Sequence, residues 1–133
     1  MGHPDEQTTR AAVGRFLAAV ESCDARAVAA CFSDDATYRN MPHEPAIGRS
    51  GIEQLFRPIL TRAERVVWDI VSAAYTGDTA WLERVDRFWI DGVERRIECN
   101  GVARIDLATG LIAEFRDYVD LGVWRKRLEG VRL

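Results

Sequence analysis

The sequence has few of the residues on which common catalytic and metal sites depend. Its two histidines, His3 near the start and His43 in a proline-rich segment, leave Ser-His and Cys-His catalysis almost without a base. The three cysteines, Cys23, Cys31 and Cys99, have neither CxxC nor Cys/His ligand spacing, so they indicate no disulfide framework and no zinc site. Any chemistry must therefore use carboxylates, arginines or hydroxyls, and we expect no metal and no other cofactor.

The charge balance and the apolar runs exclude two further classes of partner. Lys and Arg total 18 against 21 Asp and Glu, and the two signs are interleaved, so no basic patch collects phosphates and nucleic acid is not an expected partner. The first residues lack a signal-peptide pattern, and no apolar stretch approaches the length of a membrane span. These absences predict a cytoplasmic protein without a membrane partner.

The 133 residues and the 47% hydrophobic content are typical of one soluble globular domain, which we expect to span residues 1–133. Apolar spacing predicts a first helix from Thr8 to about Glu21, and a second over residues 25–32 with Asp24 as its N-cap. An S-x-x-E capping box at residues 50–53 predicts the start of a third helix, which Pro58 should bend or shorten.

The rest of the chain is rich in Val, Ile and aromatic residues and is interpreted as strands joined by turns. We predict a turn at 33–35, a short strand at 36–39, a loop at 40–48, and strands at 65–74, 79–90, 93–107 and 111–121. Helices at the front and consecutive antiparallel strands behind predict an α+β fold in which a curved sheet folds over the helices. A cone-like cavity between the two layers is the expected binding site.

Charged side chains interrupt two otherwise apolar strand faces. One face of the strand around Trp81 has the sequence Leu82, Arg84, Asp86 and Phe88. One face of the last strand has the sequence Leu111, Ala113, Phe115, Asp117, Val119 and Leu121. A carboxylate on such a face is costly to desolvate unless it is paired, and Arg84 is the obvious partner of Asp117.

Two carboxylates and one arginine form a triad of net negative charge, so one aspartate has a reason to keep its proton near neutral pH. A guanidinium fork can hold both carboxylates, one as a base and the other as an acid. A purely structural ion pair is the alternative interpretation. Tyr38 and Asn40 lie two residues apart and share a face, although a tyrosine at the core edge and an asparagine in a turn would also explain them.

Several short motifs stand out along the chain: Tyr38-Arg39-Asn40-Met41-Pro42, Pro45-Ala46, Gly48-Arg49, Glu83-Arg84-Val85-Asp86, and Arg116-Asp117-Tyr118 with Asp120-Leu121. Together they resemble the motifs of the limonene-1,2-epoxide hydrolase family, which has the NTF2-like (SnoaL-like) cone fold. The resemblance extends from the first helix to about Trp124. The family's tryptophan directly before R-D-Y is Phe115 here.

The resemblance implies an Asp-Arg-Asp mechanism that opens an epoxide with water in one step and gives a vicinal diol. Asp117 would deprotonate the water, Tyr38 and Asn40 would hold it, Asp86 would protonate the epoxide oxygen, and Arg84 would bridge the two carboxylates. The implied pocket lining is Leu17, Val20, Ile59, Phe88, Phe115, Val119 and Trp124. A small apolar or cyclic epoxide is the expected substrate.

Two other functions remain open for such a fold. A ketosteroid-isomerase or polyketide-cyclase type of enzyme needs a carboxylate base where this chain has Asn40, and the first helix has no tyrosine for an oxyanion hole. A non-catalytic binding module is the other alternative.

A mixed aromatic and charged surface is predicted on the outer face of the sheet, where Trp81, Val85, Trp89 and Tyr118 would lie. Both this surface and the family resemblance imply a homodimer packed through the sheet. Coverage of that face by the chain's own C-terminus is the alternative.

Overall fold

The computed structural model describes residues 3–133 and contains four helices and six strands. The elements in chain order are α1 (Pro4–Glu21), α2 (Ala25–Ala30), β1 (Phe32–Met41), β2 (Ala46–Ile47), α3 (Gly48–Arg62), β3 (Arg65–Thr76), β4 (Thr79–Ile90), β5 (Val93–Asp106), β6 (Leu111–Tyr118) and α4 (Leu121–Arg127). The predicted α+β class is confirmed. Within the described chain, no helix combines the length and the apolarity that crossing a membrane requires.

All six strands form one sheet in the order β2-β1-β6-β5-β4-β3. Neighbouring strands are antiparallel except for β1 and β6, which run parallel. This parallel pair brings the first long strand beside the last one, and it aligns Asn40 with Asp117.

The core lies between α1, α3 and the concave face of the sheet. Phe16 of α1 is fully buried, and its ring contacts Phe32, Phe56 and Phe115 with centroids 4.9–6.1 Å apart. Such aromatic contacts join helices and strands in one apolar layer, which leaves the cavity beside it.

The helices depart from the predicted bounds at their starts and ends. α1 begins at Pro4, four residues before the predicted start, since proline suits the first helical turn and His3 accepts a hydrogen bond from the Asp5 amide. α2 ends at Ala30 and not at residue 32, because β1 already begins there. Asp24 caps α2 as predicted, accepting from the amides of residues 26 and 27.

The predicted capping box at residues 50–53 is wrong. α3 begins at Gly48, so Ser50 lies inside the helix, and the N-cap residue Ile47 makes no side-chain cap bond. Gly48 has a φ of +72°, which favours glycine and provides the turn from β2 into α3. Pro58 does not end the helix, which continues to Arg62.

The segment around β1 contains more strand than predicted. Residues 33–35, predicted as a turn, lie within β1, and the predicted loop 40–48 contains the end of β1, the short β2 and the start of α3. A register shift between Phe32 and Thr37 accommodates the polar residues of the first half of β1.

The C-terminal end differs most from the prediction. β6 ends at Tyr118 and not at residue 121, and a fourth helix, α4, follows it. The Asp120 side chain accepts hydrogen bonds from the amides of Gly122 and Val123 and so caps α4.

Candidate active site

Arg84 joins two carboxylates at the bottom of the cavity. Its Nε and Nη2 atoms donate to Asp86 at 2.9 and 3.0 Å, and its Nη1 and Nη2 atoms donate to Asp117 at 2.8 and 3.0 Å. All three residues are at most 5% exposed. Burial of a guanidinium is costly unless it is paired and hydrogen-bonded, and here both conditions are met.

Alternation along the strands brings this triad together. Arg84 and Asp86 share the buried face of β4, and Asp117 lies on the buried face of β6. β5 separates these two strands, and Gly101 of β5 is aligned with Asp117. A Cβ at position 101 would lie 2.6 Å from Arg84 Nη1 and 2.7 Å from Asp117 Oδ1. Only glycine leaves the space across which Arg84 reaches Asp117.

Two contacts support the Arg84 side chain from the sides that face no carboxylate. Its guanidinium carbon lies 4.2 Å from the centroid of the Trp68 ring, and its Nη2 donates to the Cys99 sulfur at 3.3 Å. A cation over an aromatic face is attracted by the ring quadrupole. The Arg84 guanidinium is therefore surrounded by two carboxylates, an aromatic ring and a sulfur atom.

Tyr38 donates its hydroxyl to Asp117 Oδ2 from β1, on the other side of the carboxylate. The Tyr38 ring is 1% exposed and stacks on Phe115, with ring centroids 4.9 Å apart and an interplanar angle of 12°. Phe115 thereby fixes the plane in which the hydroxyl approaches Asp117.

Asn40 lies two residues after Tyr38 on β1 and lines the cavity beside Asp117. Within residues 3–133, no protein group hydrogen-bonds its side-chain amide. The amide is thus free to bind a water molecule or a ligand next to the carboxylate.

Burial shifts the protonation equilibria of the site. It raises the pKa of Asp86 to about 6, although Arg84 opposes the shift, and the charge of Asp117 adds to it. For Arg84, burial alone would lower the pKa, but the charges of Asp117 and Asp86 outweigh burial and raise it well above its ordinary value. Asp86 can therefore exchange a proton near neutral pH, whereas Arg84 stays charged.

Two neutral groups adjoin the triad. Burial raises the pKa of Tyr38 well above its ordinary value, and the negative charge of Asp117 raises it further. The same two causes raise the pKa of the Cys99 thiol strongly. Tyr38 thus remains a hydrogen-bond donor, and Cys99 remains a neutral thiol without nucleophilic character at neutral pH.

The triad opens into a cavity of about 520 Å³, a volume in the range of small-molecule sites. Four of the seven lining residues predicted by the resemblance do line it: Ile59, Phe88, Val119 and Trp124. The structure places the other three away from this cavity wall. Leu17 and Val20 pack into the helix–sheet core, and Phe115 lies behind Tyr38 with no exposed surface.

The cavity wall also contains residues that the sequence did not single out. They are His43, Leu55, Phe56, Pro58, Trp68, Ile97, Cys99, Leu121, Arg125 and Leu133. Strand alternation could have found Ile97 and Cys99, which share the buried face of β5. Arg125 could not be found in that way, because it lies on the unpredicted helix α4.

Nothing in the described chain, residues 3–133, forms a cluster of three or more His, Cys, Asp or Glu side chains suited to a metal ion. The residues that meet at the cavity floor are two carboxylates, a guanidinium, a phenol and an amide. This set can hold a water molecule, accept a proton from it and donate a proton elsewhere.

Solved structures with similar folds include an LEH-like epoxide hydrolase of M. tuberculosis. The two chains are 27% identical with a TM-score of 0.73, and the match covers 92% of this chain and 90% of that chain. A protein with a ketosteroid isomerase-like fold from Catenulispora acidiphila, in complex with trimethylamine, is 22% identical (TM-score 0.75; 87% and 90% covered). SalBIII, an epoxide hydrolase/cyclase-like enzyme in pyran ring formation in polyether salinomycin, is 16% identical (TM-score 0.78; 90% and 96% covered).

The last two likenesses show a shared fold alone. The sequence of the chain matches the family model of the SnoaL-like domain over residues 13–115, which is most of the chain. This range includes β1 and β4, from which four of the five polar site residues come. The chain therefore belongs to the SnoaL-like domain family and has the NTF2-like fold that its sequence predicts.

Proposed function

We propose that the protein is an epoxide hydrolase that adds water to an apolar epoxide in one acid/base step. The observation that carries this proposal is the buried network in which Arg84 binds both Asp86 and Asp117 while Tyr38 donates to Asp117. The 27% identity to an LEH-like epoxide hydrolase over 92% of the chain supports the same activity.

In the proposed step, Asp117 accepts a proton from a water molecule that Tyr38 and Asn40 help to position. The water oxygen forms a bond to one epoxide carbon, and the bond from that carbon to the ring oxygen breaks. Asp86 gives its proton to the ring oxygen, so the product is a neutral vicinal diol. The reaction leaves Asp117 protonated and Asp86 ionised, and transfer of one proton through water restores the starting state.

The charges at the cavity floor suit these roles. A carboxyl acting as the acid must hold a proton when the substrate arrives, and burial raises the pKa of Asp86 to about 6. The carboxylate acting as the base accepts hydrogen bonds from Arg84 and Tyr38, which orient it toward the cavity. Epoxide ring strain provides driving force, but a poor alkoxide leaving group still requires the acid.

The site does not favour an isomerase of the ketosteroid type. That reaction needs a carboxylate base on the first strand, where Asn40 stands, and a tyrosine donor from the first helix, which contains none. In this site, the tyrosine is on β1 and its hydroxyl is already bonded to Asp117.

The test is incubation of the protein with a panel of cyclic and acyclic apolar epoxides, with chromatographic detection of vicinal diols. We expect diol from at least one epoxide at a rate well above the buffer reaction. In oxygen-18 water, a single turnover should place the label in the diol, because water attacks directly. Label in Asp86 or Asp117 would contradict direct attack. No diol from any epoxide, with proton exchange on a ketosteroid, would overturn the proposal.

A further inference from the structure

Arg125 is a cationic side chain in the wall of an otherwise largely apolar cavity. It is exposed, so it lies at the cavity mouth rather than at the floor. Within residues 3–133 it forms no ion pair and no hydrogen bond. A guanidinium with five donors and no protein acceptor is available to an anionic ligand.

The helix that carries Arg125 is fixed to the sheet by other arginines. Arg95 Nη1 donates to the backbone carbonyls of Arg127 and Glu129 at 2.9 and 3.2 Å. Arg127 Nη1 in turn donates to the Arg96 carbonyl at 2.7 Å. Arg95 and Arg127 thus anchor the end of α4 to the sheet. Arg125, on the same helix, lines the cavity and has no partner among the described residues.

The two ends of the cavity differ in charge. Asp86 and Asp117 at the floor, with Arg84 between them, have a net negative charge when both are ionised. Arg125 places a positive charge at the mouth, where His43 also lies. The donors of Arg84 at the floor are already bonded to Asp86 and Asp117, whereas Arg125 at the mouth attracts an anion, so a ligand with an anionic head enters with its apolar end first.

We propose that Arg125 is a specificity-determining residue that binds the carboxylate of an amphipathic substrate. This inference rests on the proposed function and names its substrate class, a carboxylic acid with an epoxide on an apolar chain. The apolar chain packs against cavity side chains such as Ile59, Phe88 and Trp124, and the epoxide reaches Asp86 and Asp117. The carboxylate stays at the solvent-exposed mouth, where its desolvation costs little and the planar guanidinium can bind it through two donors.

Ligand binding can be measured without turnover, because Trp68 and Trp124 line the cavity and report occupancy by fluorescence. Decanoate and methyl decanoate are the probes, titrated into the wild type, Arg125→Gln and Lys126→Gln. Lys126 is the matched control, since it is an exposed cation on the same helix that does not line the cavity. For each variant we take the ratio of the dissociation constants of decanoate and methyl decanoate. Because the acid and the ester differ in hydrophobicity by the same amount in every variant, a change in this ratio reports only the substitution.

We expect Arg125→Gln to weaken decanoate binding relative to methyl decanoate binding about three- to fivefold, which is the effect of one charged pair at an exposed site. Lys126→Gln should shift this ratio little, and added salt should reduce the wild-type preference for decanoate. Equal shifts in the two variants would overturn the inference, because they would show only general attraction of anions.

Turnover of 9,10-epoxydecanoic acid and of its methyl ester distinguishes a failure of this inference from a failure of the proposed function. Diol from both, with acid selectivity that depends on Arg125, supports both proposals. Diol from both without that dependence overturns the role of Arg125 alone. Arg125-dependent binding of decanoate without diol from either epoxide, while another epoxide of the panel gives diol, overturns the substrate class alone, and Arg125 remains a carboxylate-binding residue.

Discussion

Tyr38 and Phe115 lie face to face on two adjacent parallel strands, and the hydroxyl of the stacked tyrosine meets Asp117, two residues beyond Phe115. The stack therefore sets the position of one hydrogen-bond donor relative to the carboxylate that we propose as the base. This relationship predicts that the hydroxyl and the ring of Tyr38 have separable effects.

Tyr38→Phe should lower kcat/KM about ten- to hundredfold, since it removes one hydrogen bond to a charged group and keeps the ring. The melting temperature should change little in comparison, because the contacts of the ring with Phe115 and Phe56 remain. The two measurements are diol formation and thermal unfolding. Unchanged activity in the folded variant would remove Tyr38 from the mechanism.

Asp117→Asn and Asp86→Asn should each reduce kcat at least a hundredfold, the usual contribution of a general acid or base. Because both groups act in one step, the double variant should be scarcely slower than either single variant. Asp69→Asn is the matched control, as Asp69 is exposed and its partner is Arg87 on the neighbouring strand. Substantial diol formation by either folded site variant would contradict the assigned roles.

Gly101→Ala should destabilise the fold by about 1–3 kcal/mol and lower activity, because its Cβ would intrude between Arg84 and Asp117. Gly14→Ala is the control. Apart from its chain neighbours and the nearby backbone of its own helix, no atom lies within 4 Å of a Cβ at position 14, and alanine inside helix α1 should stabilise the fold by up to about 1 kcal/mol. Denaturant unfolding measures both changes, and equal stability of the two variants would show that the close approach at Gly101 is not required.

The pH dependence of kcat/KM should have an alkaline limb set by Asp86. In the proposed mechanism this group works as an acid only while it is protonated, and burial raises its pKa to about 6. The protonated fraction falls as the pH rises through that value, so the rate should fall about tenfold per pH unit above it. An epoxide without a titratable group, with thermal unfolding followed over the same pH range, isolates this effect. A rate that rises steadily into the alkaline range would exclude Asp86 as the acid.

We also propose that two copies of the chain associate through the outer face of the sheet. Trp81 and Tyr118 are 52% and 43% exposed there, so the chain's own C-terminus does not cover them, and they line an open groove of about 540 Å³. Sedimentation at micromolar concentration should give about twice the chain mass of 15.0 kDa.

Trp81→Glu should shift the species toward the monomer. Val93→Glu, which alters another exposed apolar residue outside the groove, should leave it unchanged. A single 15.0 kDa species for the wild type would contradict the dimer.

The strand faces could be predicted from the sequence where the strands are regular. In β4 every second side chain is buried from Ala80 to Ile90, so alternation correctly placed Arg84 and Asp86 on the concave face. Alternation failed in the first half of β6. A register shift opposite Arg104 and Ile105 buries Ile112, which simple alternation from Asp117 assigns to the outer face.

Long-range pairing and the C-terminal helix could not be predicted by the same means. The alternation of Val119 and Leu121 extends the β6 pattern, so it concealed the helix that Asp120 caps. Nothing local to Asn40 indicates that β1 lies beside β6, because that pairing depends on contacts across most of the chain. The resemblance, rather than spacing, connected Tyr38 and Asn40 with Asp117.

The parallel pairing of β1 with β6 also affects when the site can form during folding. Tyr38 and Asp117 are 79 residues apart in sequence, whereas the antiparallel strands β3, β4 and β5 pair with their neighbours through short turns. Closing so long a loop has a higher entropic cost than forming a hairpin, so the local hairpins should form first. During synthesis, Asp117 reaches Tyr38 only after the residues up to β6 have emerged, so β6 completes both the sheet and the proposed catalytic network.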